Sequence, residues 1–502
     1  MRQVFLEKGA VVIKEVSQPL LDEHCVLVCV EYSFISSGTE TATINNAQES
    51  IISNIPAKIK KIIEAVSAHG IDGTKALIKS KLLGVPQAIG YSCSGRIIAI
   101  GSKVKRFHVG DLVACAGSGM ANHADIVCVP ENLIAQVHDE KFLKAASLTT
   151  IGAIAMQGIR RAQPQLGETV CVLGLGLLGQ ITVQLAKLSG CTVVGLDLIP
   201  ERLELAKTLG ADYAYNPSDA QFAKEIEFLT QHHGVDTTII TAASQSSAIM
   251  QQAMEITRRK GKVVLVGDVG LNLSRDPLYK KEIDFLISCS YGPGRYDTNY
   301  EQKGADYPFA YVRWTEQRNM QAFVELIEHA KVAVDSLISH ETDLENVPQA
   351  YEQLKSKAAL GIVVNYGNRS NELQKVQPAL AAPLQEIRFL PAHKDALRVG
   401  IVGAGGFAKV KLMPLISKIE NVKINAIVDA DISNSLSATK VYGAARALVN
   451  DDELFNNDLV DVVVISSPHK FHCDQALKAL KHGKAVFMEK PMVTDYQQFA
   501  RL

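Results

Sequence analysis

VCVLGLGLLGQITVQLAKLSGCTVVGLD, residues 170–197, is the stretch that decides the fold. Val170–Leu173 is a short continuous apolar run, the mark of a strand buried in a parallel sheet. It leads into Gly174-Leu175-Gly176-Leu177-Leu178-Gly179, a helical pattern, and a second apolar strand that ends at Asp197. Gly174 permits the tight turn, Gly176 lets the backbone approach a pyrophosphate, and Gly179 lets helix and strand pack closely. The helix start offers unpaired N–H groups and the positive end of its dipole to the phosphates. Asp197 is spaced to accept both ribose hydroxyls and to repel a 2′-phosphate, so NAD is expected in preference to NADP.

The same grammar recurs downstream. Gly403-Ala404-Gly405-Gly406-Phe407-Ala408 follows the strand RVGIV, with Ala408 in the third small position, and KINAIVD ends at Asp429. A second NAD site is therefore expected, giving up to two in one chain. Two later strands, DVVVISSPHKFH and GKAVFMEKP, end in polar turns. Ligands in open α/β sheets sit beyond the carboxyl ends of strands, so Ser467, Pro468, His469, His472, Glu489 and Lys490 are expected to line that site. By spacing alone, Lys490 reads either as an acid–base group on a substrate hydroxyl or as a surface lysine paired with Glu489.

Working outward, residues 1–40 and 90–138 read as short strands, and 150–290 as alternating strands and helices. Between them, Ile59, Ile62, Ile63 and Val66 give an amphipathic helical pattern within 44–84. Residues 291–320 are rich in Tyr and Arg and hold Trp314, the single tryptophan. Arg295, Arg313 and Arg318 read equally as clamps for a carboxylate or phosphate and as parts of a subunit contact. GIVVNYG, from residue 361, reads as a strand returning to the first β region. The predicted organisation is α/β: a β-rich domain over 1–150 completed by 321–366, a dinucleotide-binding (Rossmann) domain over 151–320, a linker over 367–395, and a second Rossmann domain over 396–502.

The bulk properties fit such a chain. Its 502 residues imply about three domains. A net charge of −1 argues against nucleic-acid or membrane-surface partners. The first residues lack the apolar run of a signal peptide, and no long apolar stretch suggests a membrane span. Nine scattered cysteines then read as reduced thiols in a cytoplasmic protein. A small-molecule substrate and a homo-oligomeric assembly are expected.

The first 366 residues resemble the medium-chain dehydrogenase/reductase superfamily, on FISSGTE, GYSCSGRIIAIGSKVKRFHVGD and GLGLLG with Asp197. The resemblance implies a GroES-like β-rich domain ahead of the Rossmann domain. Zinc alcohol dehydrogenases of that superfamily carry Cys where this chain has Ser36, and a His–Glu pair where it has Tyr91-Ser92. Their Cys-rich structural-zinc lobe is also missing here. No catalytic zinc is therefore expected, since Ser and Tyr are poor zinc ligands at neutral pH. Ser36, Tyr91 and Thr39 become the candidate hydrogen-bond donors to a reacting oxygen, and the 44–84 insert reads as a lid or a surface element.

The last ~107 residues resemble the glucose–fructose oxidoreductase/inositol dehydrogenase family, on GIVGAGGFA, SSPHKFH and Glu489-Lys490-Pro491. That resemblance implies a position for Lys490 beside nicotinamide and substrate. The family continues into a β-sheet substrate domain with a catalytic histidine, whereas this chain stops at Leu502, so a truncated second unit with an exposed sheet edge is expected. Together the halves resemble bi-domain bacterial oxidoreductases and imply sugar or nucleotide-sugar chemistry, in the setting of surface polysaccharide synthesis. The expected function is hydride transfer between NAD(H) and a carbonyl or secondary alcohol; the alternatives are a non-catalytic NAD-binding sensor, a decayed enzyme or a scaffold.

Overall fold

The computed structural model describes residues 1–7, 9–38, 86–219, 221–354, 359–367, 396–455 and 458–502. Thr39, the predicted helical insert 44–84 and nearly all of the predicted linker lie outside them.

The chain opens on a hairpin of β1 (Arg2–Glu7) and β2 (Ala10–Glu15), enters the long β3 (Cys25–Ser36), and is next described at β4 (Gln87–Ala88). β4 pairs with β1, giving a small sheet in the order β2-β1-β4. β3 is the centre of a larger sheet with β5 (Ser92–Ile100), β6 (Leu112–Ala116), β7 (Ile126–Pro130) and β8 (Ile134–Val137). Its CVLVCVEYSFIS run is almost wholly buried, as a central strand covered on both faces requires.

Helix α1 (Thr149–Ala162) then leads into the first crossover unit. β9 (Thr169–Leu173), α2 (Leu177–Leu188), β10 (Thr192–Leu196), β11 (Tyr213–Tyr215) and β12 (Val235–Ile240) follow in turn. After the short β13 (Ala243–Ser244) come β14 (Thr257–Leu265), the short β15 (Asp268–Val269) and β16 (Asp284–Ile287). The parallel sheet runs β11-β10-β9-β12-β14-β16, so the strand order reverses between β9 and β12. Helix α3 (Glu316–Glu328) precedes β17 (His340–Asp343) and β18 (Gly361–Asn365). β18 pairs antiparallel with β3, Gly361 opposite Ser36, so GIVVN does return to the first β region.

The second crossover unit contains β19 (Leu397–Val402), β20 (Val422–Val428), α4 (Ile432–Tyr442), β21 (Arg446–Leu448), β22 (Val462–Ile465), α5 (His472–Lys481) and β23 (Ala485–Met488). Its sheet is parallel in the order β21-β20-β19-β22-β23 and reverses between β19 and β22. β23 is an edge strand, with Phe487 54% exposed.

Two compact units result, and they differ from the predicted segments. One holds the described residues of Leu21–Thr41 and Gly90–Gln374. In its core, Phe34 and Val363 of the β-rich sheet join Ile159 of α1, Val172 of β9, Ile181 of α2 and Phe323 of α3. Each such side chain contributes about 1.5–3 kcal/mol on burial. The other unit holds the described residues of Met1–Leu20, Ala42–Ile89 and Lys375–Leu502. The N-terminal hairpin thus groups with the second crossover unit and not with residues 21–150. The cause is apolar: Phe5 and Val16 bury against Ile432 and Leu436 of α4 and against Ala447 and Val449. Glu7 adds an ion pair to Lys440 of α4.

Candidate functional site: two glycine turns and a hydroxyl pair

Each glycine turn sits where its sheet reverses strand order, the crevice in which open α/β sheets bind ligands. Gly174 has φ +94°, and a Cβ there would strike Ala242 just past β12. Thr241 Oγ1 donates to its carbonyl at 2.5 Å. Gly403 repeats this arrangement with φ +94°, its position against Ser467, and a Ser466 Oγ donor at 2.8 Å.

The remaining small residues divide by role as their spacing predicts. A Cβ on Gly179 would lie 1.9 Å from the Gly174 carbonyl oxygen, so that position serves close packing of backbone on backbone. Ala408 is likewise buried, among Ile401, Ala404 and Ile427. Gly176 has only the Arg202 guanidinium at 4.0 Å, and Gly405 and Gly406 face open space. These three leave the backbone open to an approaching phosphate.

The two acidic residues are held alike. Asp197 Oδ2 accepts from Leu175 N at 2.7 Å and Oδ1 from Ile199 N at 3.0 Å. Asp429 Oδ2 accepts from Ala404 N at 2.8 Å and Oδ1 from Asp431 N at 3.0 Å. Their surroundings differ. Arg202 lies 3.7 Å from Asp197, while Asn434 donates to Asp429 at 3.3 Å and in turn accepts from Lys409 at 2.6 Å. Burial pulls the Lys409 ammonium below its usual range, against the pull of Asp429 and Asp431. Sequence spacing reveals the two aspartates but not Arg202, Asn434 or Lys409, which reach them from the flanking helices.

Of the predicted donors to a reacting oxygen, the structure brings two together: Tyr91 Oη donates to Ser36 Oγ at 2.8 Å. Tyr91 rests on the same apolar cluster as Leu175, Leu177 and Leu178 of the first glycine turn. Its carbonyl accepts from Thr150 of α1. A buried network that spacing does not reveal stands on the same strand as Ser36. Ser33 Oγ meets His123 Nδ1 at 2.7 Å and Tyr366 Oη at 2.9 Å. Among the described residues, no three His, Cys, Asp or Glu side chains gather as a metal-binding group.

In the second unit, Lys490 is exposed and Glu489 half-buried. Among the described residues no ion pair joins them, which leaves the paired-lysine reading without support. His472 is fully buried, with Nε2 2.7 Å from the Ser467 carbonyl and Nδ1 2.9 Å from that of Pro491. It therefore clamps the SSPHKFH turn to the EKP turn and does not itself face the crevice. Ser467 Oγ donates to Gln475 at 2.5 Å, and Phe407 is 54% exposed at the turn.

The Tyr/Arg segment has its own interior. Glu316, at the start of α3, is fully buried with neither carboxylate oxygen partnered, and burial pushes its pKa up to about 9. Arg295 is spent on Glu301 at 2.5 Å, and Arg318 on Asp306. Of the three arginines singled out by sequence, Arg313 alone stays without a carboxylate among the described residues.

A reversing parallel sheet, an open glycine turn and a tethered carboxylate at the next strand end define a dinucleotide-binding unit of the kind nicotinamide-dependent oxidoreductases use. Comparison with known proteins agrees. Residues 59–139 match the alcohol dehydrogenase GroES-like domain, 178–305 the zinc-binding dehydrogenase model, and 397–502 an oxidoreductase family with an NAD-binding Rossmann fold. D-guloside 3-dehydrogenase of Escherichia coli is 30% identical over 272 residues, spanning 53% of this chain and 73% of the relative. Sorbitol dehydrogenase of Bacillus subtilis is 27% identical over 315 residues, spanning 54% and 86%. Among solved structures, galactitol-1-phosphate dehydrogenase of Escherichia coli superposes with a TM-score of 0.56 at 18% identity, over 73% of this chain and all of the other. The chain belongs to the alcohol-dehydrogenase-like, medium-chain dehydrogenase family, and it carries a second module of the glucose–fructose oxidoreductase/inositol dehydrogenase type. No single helix among the described residues is long and apolar enough to cross a membrane.

Proposed function

We propose that the chain oxidises or reduces a secondary alcohol or carbonyl on a sugar, polyol or nucleotide-sugar, using NAD(H) in the first crossover unit and working without zinc. The observation that carries this reading is the Tyr91–Ser36 hydrogen bond beside an open glycine turn. The relatives named for guloside and sorbitol oxidation support the substrate class.

The family description implies zinc, and the donor set does not fit it. Two neutral hydroxyls that hydrogen-bond to each other stand where a thiolate and an imidazole are needed. The hydride transfer therefore proceeds on hydroxyl donors and not on a metal. A bound nicotinamide supplies or accepts the hydride. Gly176 admits its pyrophosphate, the start of α2 presents backbone N–H groups to it, and Asp197 accepts from the ribose hydroxyls. Ser36 carries its own O–H to the substrate oxygen, and its bond to Tyr91 gives the proton a path between the two hydroxyls.

The second unit forms a further NAD site at Gly403, Gly405, Gly406, Phe407, Ala408 and Asp429, and Lys490 is its candidate acid–base group. Binding of NADH and NADPH, followed by fluorescence on wild type, Gly176→Val and Gly405→Val, tests both sites. Two independent losses support two sites, and a panel of polyols and glycosides then tests turnover. Absence of NADH and NADPH binding to the wild type would sink the redox reading.

A further inference from the structure

We propose that Arg160, Arg313 and Trp314 form a binding site for a phosphate group. The guanidinium carbon of Arg160 lies 3.6 Å from the centre of the Trp314 ring and that of Arg313 lies 3.8 Å from it. Two groups so close to one ring centre cannot share a face without overlapping, so the indole is sandwiched between two cations. Phe309 backs Arg313 at 4.8 Å.

Stacking uses the face of a guanidinium and leaves its five N–H donors, which lie in its plane, pointing outward at the rim. Here those donors are unspent. Among the described residues neither guanidinium meets a carboxylate or donates a hydrogen bond, and the Arg160 Nε is buried with no acceptor. Burial and the nearby Arg313 charge both pull Arg160 below its usual range. Two like charges held together without a counter-ion are costly, and an uncompensated, partly buried donor adds to the cost. A dianion answers both charges at once, whereas a carboxylate leaves one of them over. Phosphate also offers the several acceptor oxygens that two planar forks can grip.

The location suits a ligand. Two residues before Arg160, Gly158 packs on Val266, which follows β14. One residue after it, Arg161 donates to the carbonyl of Ile287, the last residue of β16, at 3.1 Å. The cluster thus stands at the carboxyl ends of two strands, the ligand-binding side of an open parallel sheet. It requires nothing of the redox reading, because the charges and their placement stand whatever the chain oxidises.

The test is calorimetric titration of the full chain with inorganic phosphate and pyrophosphate, with acetate as a single-charge control. NADH is present throughout to occupy the glycine turns. Arg313→Glu and Arg160→Met are titrated alongside, and NADH affinity is measured separately for each. The expected result is phosphate binding that weakens roughly tenfold or more in each variant, with NADH affinity unchanged and acetate much weaker. Three results overturn the proposal: no phosphate binding, equal phosphate binding in the variants, or acetate binding as tight as phosphate. Variants that change only the mass of the assembly also overturn it, in favour of a subunit contact. Failure of NADH to bind counts against the redox reading alone, since phosphate can still be titrated.

Discussion

The backbone N–H of Leu175 donates to the carboxylate of Asp197 at 2.7 Å, tying the glycine turn to the end of the neighbouring strand. The same carboxylate keeps Arg202 at 3.7 Å. Asp197→Ser removes the charge that a 2′-phosphate would meet and releases the guanidinium to pair with that phosphate. NADH affinity should fall roughly tenfold while NADPH affinity rises, as read from the two dissociation constants. An unchanged ratio would remove Asp197 from cofactor choice.

Gly176 and Gly179 stand three residues apart and should fail in different ways. Gly176→Val meets open space, so the protein should melt as the wild type does yet lose NADH binding. Gly179→Ala drives a methyl into the Gly174 carbonyl, and stability should drop by about 2 kcal/mol or more. Thermal melts beside fluorescence titrations separate the two. If Gly176→Val binds NADH normally, the open turn is not a phosphate cradle.

Tyr91→Phe deletes one hydroxyl of the 2.8 Å pair and little else. With a responsive substrate, kcat should fall roughly 100-fold with NADH affinity unaltered. Metal analysis of the purified protein should find no stoichiometric zinc, and chelators should leave activity intact. Loss of activity on chelation would return the chemistry to a metal.

Glu316 gives a pH dependence of definite sign. Its carboxyl titrates near 4.5 when unfolded and at about 9 when buried. The folded state therefore binds the proton more tightly, and this stability is full below pH 4.5. It is lost as pH rises from there through about 9, where both states become ionised. Glu316→Gln keeps the shape of the neutral acid without the titration. Its melting temperature should exceed that of wild type by roughly 5 °C at pH 8 and converge with it near pH 4. Parallel curves would show that Glu316 is charged in the folded protein.

Both glycine turns and their aspartates are legible in the sequence because each is a local pattern: strand, turn, helix, strand, with fixed spacing. The same holds for the continuous apolar strands of the two sheets. What spacing does not reveal is assembled across the chain. Arg160 reaches Trp314 from a helix 154 residues earlier, and the Ser33–His123–Tyr366 network draws on three separate elements. Nothing periodic marks such residues, since their partners are chosen by the fold and not by their neighbours. His472 illustrates the reverse case: the motif places it at the site, but burial turns its ring nitrogens toward two carbonyls.

Phe5 and Val16 find their apolar partners in Ile432, Leu436, Ala447 and Val449, more than 400 residues later. During synthesis at the ribosome, the hairpin must wait until more than 400 further residues have been made before its greasy face is covered. Closing so long a loop adds little to the equilibrium cost, which grows only with the logarithm of length, but such high contact order slows folding. The waiting hairpin is a target for chaperones, and a copy of the last module made alone would present Ile432 and Leu436 to water.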